Sequence, residues 1–332
     1  MAKSQPEVTA SLMPAAGRVR RRRNTDRGMS RAFRWISTGA ACLILAMLAA
    51  VAIFLFYRAF PALTASSEAI AGTNVLRGEM TSLWQLIVPL VFGTLLAAAL
   101  ALLVATPVAM GIALFISHYA HKRLATVVAY IVDLLAAIPS VVFGLWGART
   151  FAPLAAGLWE RLASLLNHLP FWTVSATPTG RSIATAAVIL AVMILPIITA
   201  VSREVFKQTP ILHEEAALAL GATRWEMVRT AVLPFGRSGV ISAAMLGLGR
   251  ALGETMAVLM ILYPGVLVSF AIFEGGQQQT IAAFIASMFP ESAGLAVNVL
   301  IATGLALFLI TMVVNMAARW IVSRRKEFSG AN

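Results

Sequence analysis

Six stretches of this sequence run for about twenty residues or more with almost no charge, and an apolar run of about 20 residues is what a helix needs to cross a bilayer. They are Ile36 to Tyr57, Leu83 to Ser117, Leu124 to Gly147, Ile183 to Val201, Val240 to Leu262 and Leu295 to Ala318. Strict two-residue alternation is absent, so the runs read as helices and not as barrel strands. Only 12% of the chain is charged, about half the share of a soluble domain, which excludes a soluble globular enzyme and a disordered polar tail. The sequence therefore predicts an all-α integral membrane protein with six transmembrane helices. The second run holds Pro89, Gly93, Pro107 and Gly111 and is long for one simple span. It is either one kinked helix or two segments meeting near Pro107. The first run has 22 uncharged residues and is followed by Arg58, so it reads as a span and not as a cleaved signal, whose core is about 7–15 residues.

The basic surplus, 26 Lys and Arg against 14 Asp and Glu, is distributed by topology. With the amino terminus placed inside, 20 of the 26 fall on one side: the tail of residues 1–34, Lys122 and Arg123, the segment Ser202 to Gly239, and the carboxyl end at 320–332 with Arg319 beside it. The other side holds Arg58, Arg77, Arg149, Arg161 and Arg181. Basic residues concentrate on the cytoplasmic side, which puts both termini in the cytoplasm and favours six spans. The tail lacks interleaved aromatics apart from Phe33 and Trp35 at the membrane edge. It suits anionic lipid, and no nucleic acid is expected as a partner. Ala148 to Ser182 reads as a structured outer loop with interfacial Trp159, Phe171 and Trp172. Cys42 stands alone, which excludes an intrachain disulfide or a CxxC site and leaves it as apolar filler in a span.

Between the fourth and fifth runs the inner loop is more apolar than a solvated linker needs. Pro210 suits a helix start, Glu214 and Glu215 sit where the helix dipole favours acids, and Gly221 suits a helix stop. A second short helix, about Arg224 to Val232, is expected to end before Pro234. The helix–turn–helix would either rest on the lipid surface or dock into a partner. Its Glu215-Ala216-Ala217, three residues, Gly221, then Leu233-Pro234 resembles the EAA loop of ABC importer permeases, with Ala231 where that pattern has Ile. The resemblance implies that the loop at 210–234 carries coupling helices docking into ATPase subunits, through Glu215, Ala216, Ala217, Gly221, Leu233 and Pro234.

Three charges fall inside apolar runs: Asp133, Arg250 and Glu254. An ionised side chain at mid-bilayer costs about 2.5–3.5 kcal/mol and persists where it is paired or meets water. Arg250 and Glu254 are four residues apart and would share a helix face, near Gly247, Gly249 and Gly253. They form either a packing pair or an anion path, with Arg250 attracting the anion and Glu254 preventing tight retention. Asp133 would be a further counter-charge, and Ser140 and Thr255 neutral donors beside them.

The stretch Gly247-Leu-Gly-Arg-Ala-Leu-Gly-Glu-Thr-Met-Ala-Val-Leu-Met260 resembles the fifth-span motif of the PstC-type permease subunits of phosphate-specific (Pst) importers. The segments Asp133 to Gly147 and Thr280-Ile-Ala-Ala-Phe-Ile-Ala286 are similar too, and the resemblance covers about residues 83–319 as a permease core. It implies the type I ABC importer permease fold and a non-catalytic subunit forming half of a phosphate path in the bacterial inner membrane. The implied partners are a PstA-type permease, a PstB-type ATPase dimer and a periplasmic PstS-type phosphate-binding protein. ATP and Mg would be bound by the ATPase, with no cofactor on this chain. None of the four lysines follows a glycine, so no P-loop is present. The four histidines show no metal spacing, and His118 and His121 read as residues of a membrane-edge turn. The rivals are a permease for another solute and an ion-coupled transporter without an ATPase.

Overall fold

The computed structural model describes residues 26–76, 80–168 and 175–326, without the side chains of 26–30 and 321–326. Most of the basic tail, Phe171 and Trp172, and the last six residues lie outside the described residues. Among the described residues every regular element is helical. Six helices are long and apolar enough to cross a membrane: Arg31–Thr64, Leu83–Tyr119, Ser140–Leu166, Ile183–Lys207, Arg224–Leu252 and Leu295–Trp320. The chain divides into two units, residues 1–51 and 52–332. The first holds the opening part of helix α1 (Asp26–Thr64), where every side chain described from Arg31 to Val51 is exposed, Cys42 among them. A helix apolar all round with no protein cover of its own is suited to lipid.

The second unit holds the bundle. A short α2 (Ser67–Ala71) precedes α3 (Leu83–Leu114), whose π-type last turn Phe115–Tyr119 makes one helix of the whole second run. Pro89 and Pro107 sit within it without splitting it. One face of α3 carries Ala97, Ala101, Ala105, Ala109 and Ala113, each at most 1% exposed. It packs on α7 (Ile183–Lys207) through Ile189, Leu190, Ile194 and Ile198. Helices in lipid gain little from burying oily surface, so close approach through small side chains is what holds them together. The same device joins α10 (Leu233–Leu252) to α7: a Cβ on Gly247 would lie 2.9 Å from the Ile198 side chain, and one on Gly236 2.7 Å from the Phe206 ring.

The third apolar run, continuous in sequence from Leu124 to Gly147, is cut in the structure. Helix α4 (Lys122–Ala137) ends at Ile138, held extended by the following Pro139, and α5 (Ser140–Trp146) starts afresh. The span is therefore Ser140–Leu166, with α5 passing through a π turn at Gly147–Phe151 into α6 (Ala152–Leu166). Much of the expected outer loop is thus helix. Trp159 is 7% exposed, stacks on Phe273 at 5.2 Å and donates its indole N–H to Thr185 Oγ1, so it is a core residue rather than an interfacial one.

The fifth span is displaced in the same way. Helices α8 (Ile211–Ala219) and α9 (Arg224–Met227) form the loop, and α9 continues through a π turn, Val228–Val232, into α10. The helix does not end before Pro234. Leu233 N–H bonds Val228 O five residues back, and this wide turn lets the proline enter without a helix break. The chain breaks instead after Leu252, with a six-residue α11 (Met256–Ile261) following. An extended passage then leads to α12 (Ile281–Met288) and α13 (Leu295–Lys326). Several of its polar groups are bonded within the protein, which is what non-helical chain between spans requires. Leu267 N–H bonds Gln277 O, Gln278 Nε2 bonds Ser269 O, and Ile281 N–H bonds the buried Thr94 Oγ1 of α3 at 2.9 Å.

Candidate functional site

The break between α10 and α11 carries three of the residues singled out from sequence. Leu252 ends the helix, Gly253 caps it, and Glu254 and Thr255 lead into α11. Glu254 Oε1 accepts the N–H of Ala257 at 3.2 Å, so the carboxylate caps the new helix. Thr255 Oγ1 donates to Gly253 O at 3.2 Å and closes the turn. The shared helix face expected for Arg250 and Glu254 is lost, because the register restarts at Gly253. Arg250 stands exposed in the last turn of α10, where a cation is favoured by the helix dipole, and no ion pair joins it to Glu254.

Helix α5 seats against α11. A Cβ on Gly144 would sit 2.6 Å from Ala257 Cα, and one on Gly147 3.1 Å from Ile261 Cδ1. Residue 144 lies beside 257 and 147 beside 261, so the two helices run in the same direction. Ser140 opens α5, and Glu254 and Thr255 lie just before α11, so these two packed helices carry three of the singled-out residues near their starts. Arg250 lies in the last turn of α10, and no described hydrogen bond or ion pair joins Ser140 to Arg250, Glu254 or Thr255. Asp133 is different: it lies exposed on α4, across the Ile138–Pro139 break, and nothing among the described contacts joins it to this group.

One residue of this arrangement was missed. Arg181, read as an outer-loop charge, donates from Nη2 to Met260 O at 2.6 Å, and its guanidinium lies 5.0 Å from the Tyr263 ring centre. It therefore binds a carbonyl in the last turn of α11, while Glu254 holds an amide in the first. Each end of this six-residue helix meets a side chain of the sign its dipole favours. Arg181 and Met260 are 79 residues apart, so no local pattern announces the contact.

The second candidate surface is the loop. Gly221 adopts φ +87°, a conformation that penalises any Cβ. Around it Gly221 N–H bonds Leu218 O and Ala222 N–H bonds Ala217 O, the paired closure of a Schellman stop. Thr223 and Glu226 then cap α9 reciprocally, Thr223 N–H to Glu226 Oε2 at 2.7 Å and Glu226 N–H to Thr223 Oγ1 at 3.3 Å. Ala217 and Leu233 turn inward onto Phe206, Met227, Val228 and Val232. Glu215, Ala216, Gly221 and Pro234 stay exposed beside uncovered Ile211, Leu212 and Leu220, the last 90% exposed. A rigidly capped turn with apolar side chains facing outward has the properties of a docking surface.

Comparison with known proteins shows what the chain as a whole is similar to. Residues 105–327 match the family described as binding-protein-dependent transport system inner membrane component. The phosphate transport system permease protein PstC 2 of Mycobacterium tuberculosis is 45% identical over 303 residues, covering 88% of this chain and 91% of the relative. PstC of Mycobacterium leprae is 49% identical over 240 residues, covering 70% and 73% respectively. PstC of Mesorhizobium japonicum is 35% identical over 303 residues, covering 90% and 91%. Among solved structures, a chain of a bacterial ABC transporter that imports the acidic polysaccharide alginate aligns with TM-score 0.57 and 17% identity, covering 87% of this chain and 98% of that one. A chain of the inward-facing MetNI methionine ABC transporter gives TM-score 0.51 and 16% identity, covering 75% and 99%. At these identities the structural likeness bears on the fold alone.

Proposed function

The chain belongs to the family of binding-protein-dependent transport system inner membrane components, and from that membership we propose that it is one of two permease subunits enclosing a phosphate path in an ATP-driven importer. The observation that carries the reading is the length and identity of its match to phosphate permeases, 35–49% over most of the chain. The arrangement of residues supports it. Arg250 offers a planar fork of donors suited to phosphate oxygens. Glu254 is occupied by its helix cap, and in this reading its charge keeps the anion from being held too tightly to leave. Ser140 supplies a neutral donor, Thr255 would supply another on releasing Gly253 O, and Asp133 is a counter-charge further along.

The remaining parts of the importer are inferred from the loop and the charge distribution. Glu215, Ala216, Ala217, Gly221, Leu233 and Pro234 form the surface on which a PstB-type ATPase docks. The ATP and its Mg belong to that subunit, and this chain is non-catalytic. A PstA-type subunit completes the path, and a periplasmic PstS-type protein delivers phosphate. The basic surplus sets both termini on the cytoplasmic face of the bacterial inner membrane. Closure of the ATPases would move the loop and turn the path outward, and hydrolysis would reset it.

The test is uptake of labelled phosphate by proteoliposomes holding the complete complex, with sulfate and molybdate as competitors. Phosphate-specific, ATP-dependent uptake is expected. Equal inhibition by the other oxyanions would sink the phosphate reading, and uptake without any ATPase would sink the importer reading.

A further inference from the structure

The π turn that ends α3 carries Ser117 and His118. Ser117 Oγ donates to Ala113 O at 2.8 Å. Ser117 Oγ also lies 2.7 Å from His118 Nδ1, within hydrogen-bond reach. The opposite ring nitrogen, Nε2, faces Glu214 Oε1 at 3.3 Å. The ring therefore bridges Ser117 and Glu214 in a chain Ala113–Ser117–His118–Glu214. The two side chains are largely covered, 9% exposed for His118 and 23% for Glu214.

The setting of the pair distinguishes it. The other ion pairs among the described residues join Glu204 to Arg203 and Lys207, neighbours on α7. His118 and Glu214 are 96 residues apart and link two elements: the end of the 37-residue second span and the first turn of α8. Exposed pairs contribute little, but a covered pair leaves its partner uncompensated when one member is removed. Glu214 also directly precedes Glu215, the first residue of the proposed docking motif.

We propose that His118 and Glu214 form the tether through which displacement of α8 is passed to α3, which makes His118 a positioning residue for coupling. The proposal rests on the reading that the loop docks the ATPase.

The test uses the complete complex in proteoliposomes and measures phosphate moved per ATP hydrolysed. His118→Ala and Glu214→Ala are each expected to lower that ratio about tenfold, within the usual range of coupling between sites. Both complexes should remain assembled and hydrolyse ATP. The double variant should be no worse than either single one, and His118→Gln, which retains a donor toward Glu214, should recover most of the ratio. An unchanged ratio, additive losses, or failure of assembly in the alanine and glutamine variants alike would overturn the tether. Ala216→Arg, on the exposed docking face, is a separate arm. If the ATPase still co-purifies and drives uptake in that variant, the docking reading fails, whatever the ratio shows for His118.

Discussion

The chain interrupts two regions of the same helical path in opposite ways. At Val228–Val232 a π turn absorbs Pro234, and the helix runs unbroken from Arg224 to Leu252. At Gly253–Thr255 there is no proline, yet the helix stops and restarts as α11. The first interruption preserves mechanical continuity between the loop and Arg250. The second gives it up and places a carboxylate, a hydroxyl and the start of a new helix at the end of the rod. The same contrast recurs at Ala152-Pro153, where Ala152 N–H bonds Gly147 O and the helix continues, and at Ile138-Pro139, where it does not. Proline alone does not decide the outcome. A register shift of one residue just before it keeps the helix whole, and an extended residue before it breaks the chain.

The largest effect expected from this contrast is at the end of the rod. Arg250→Ala should lower phosphate uptake by about a hundredfold, on the scale of losing a charge-assisted contact, while the assembled complex and its ATP hydrolysis remain. Normal uptake would show that the break does not hold the path. Gly144→Val comes next. The added side chain must push α5 from α11, at a cost of about 1–3 kcal/mol for overpacking, seen as a lower unfolding temperature together with lost uptake. Arg181→Ala should destabilise the broken side alone, by about 1–3 kcal/mol for the carbonyl left without its donor, with ATPase co-purification unchanged. Gly221→Val sharpens the other side. Forcing a Cβ into positive φ costs about 1–2 kcal/mol and should weaken ATPase co-purification without affecting α11. Thr223→Ala is the mildest, removing a cap for about 1 kcal/mol, with a small drop in ATPase affinity as its readout.

The spans were legible because a bilayer demands about 20 apolar residues in a row, and hydropathy reports that directly. The breaks were not, because a broken helix in lipid keeps the same hydropathy on both sides. Leu124 to Gly147 reads as one run although Ile138 and Pro139 divide it, and the proline was the available cue. The sequence separates the short helix at Arg224 to Val232 from a span starting at Val240, because Pro234 and the charges Arg224, Glu226, Arg229 and Arg237 look like the edge of a loop, whereas the helix runs on through them. They stay helical because Met227, Val228 and Val232 pack onto Phe206. At the candidate site, the expected pairing of charges is not what the structure shows. The four-residue spacing of Arg250 and Glu254 presumes a helix that Gly253 ends, and the hold of Arg181 on Met260 depends on contacts from distant parts of the chain. The loop read more faithfully, since its Gly221 stop is encoded within a few residues of where it acts.

The alanine face of α3 has a consequence for its mechanical role. Five small side chains at four-residue intervals repeat about every 6 Å, slightly more than one helical turn. Side chains of one size carry little shape to set how far along α7 the helix sits. Its position is marked instead by contacts outside the alanine run: Gly93 closes on the Gln279 backbone, Thr94 holds the amide of Ile281, and at the far end His118 meets Glu214.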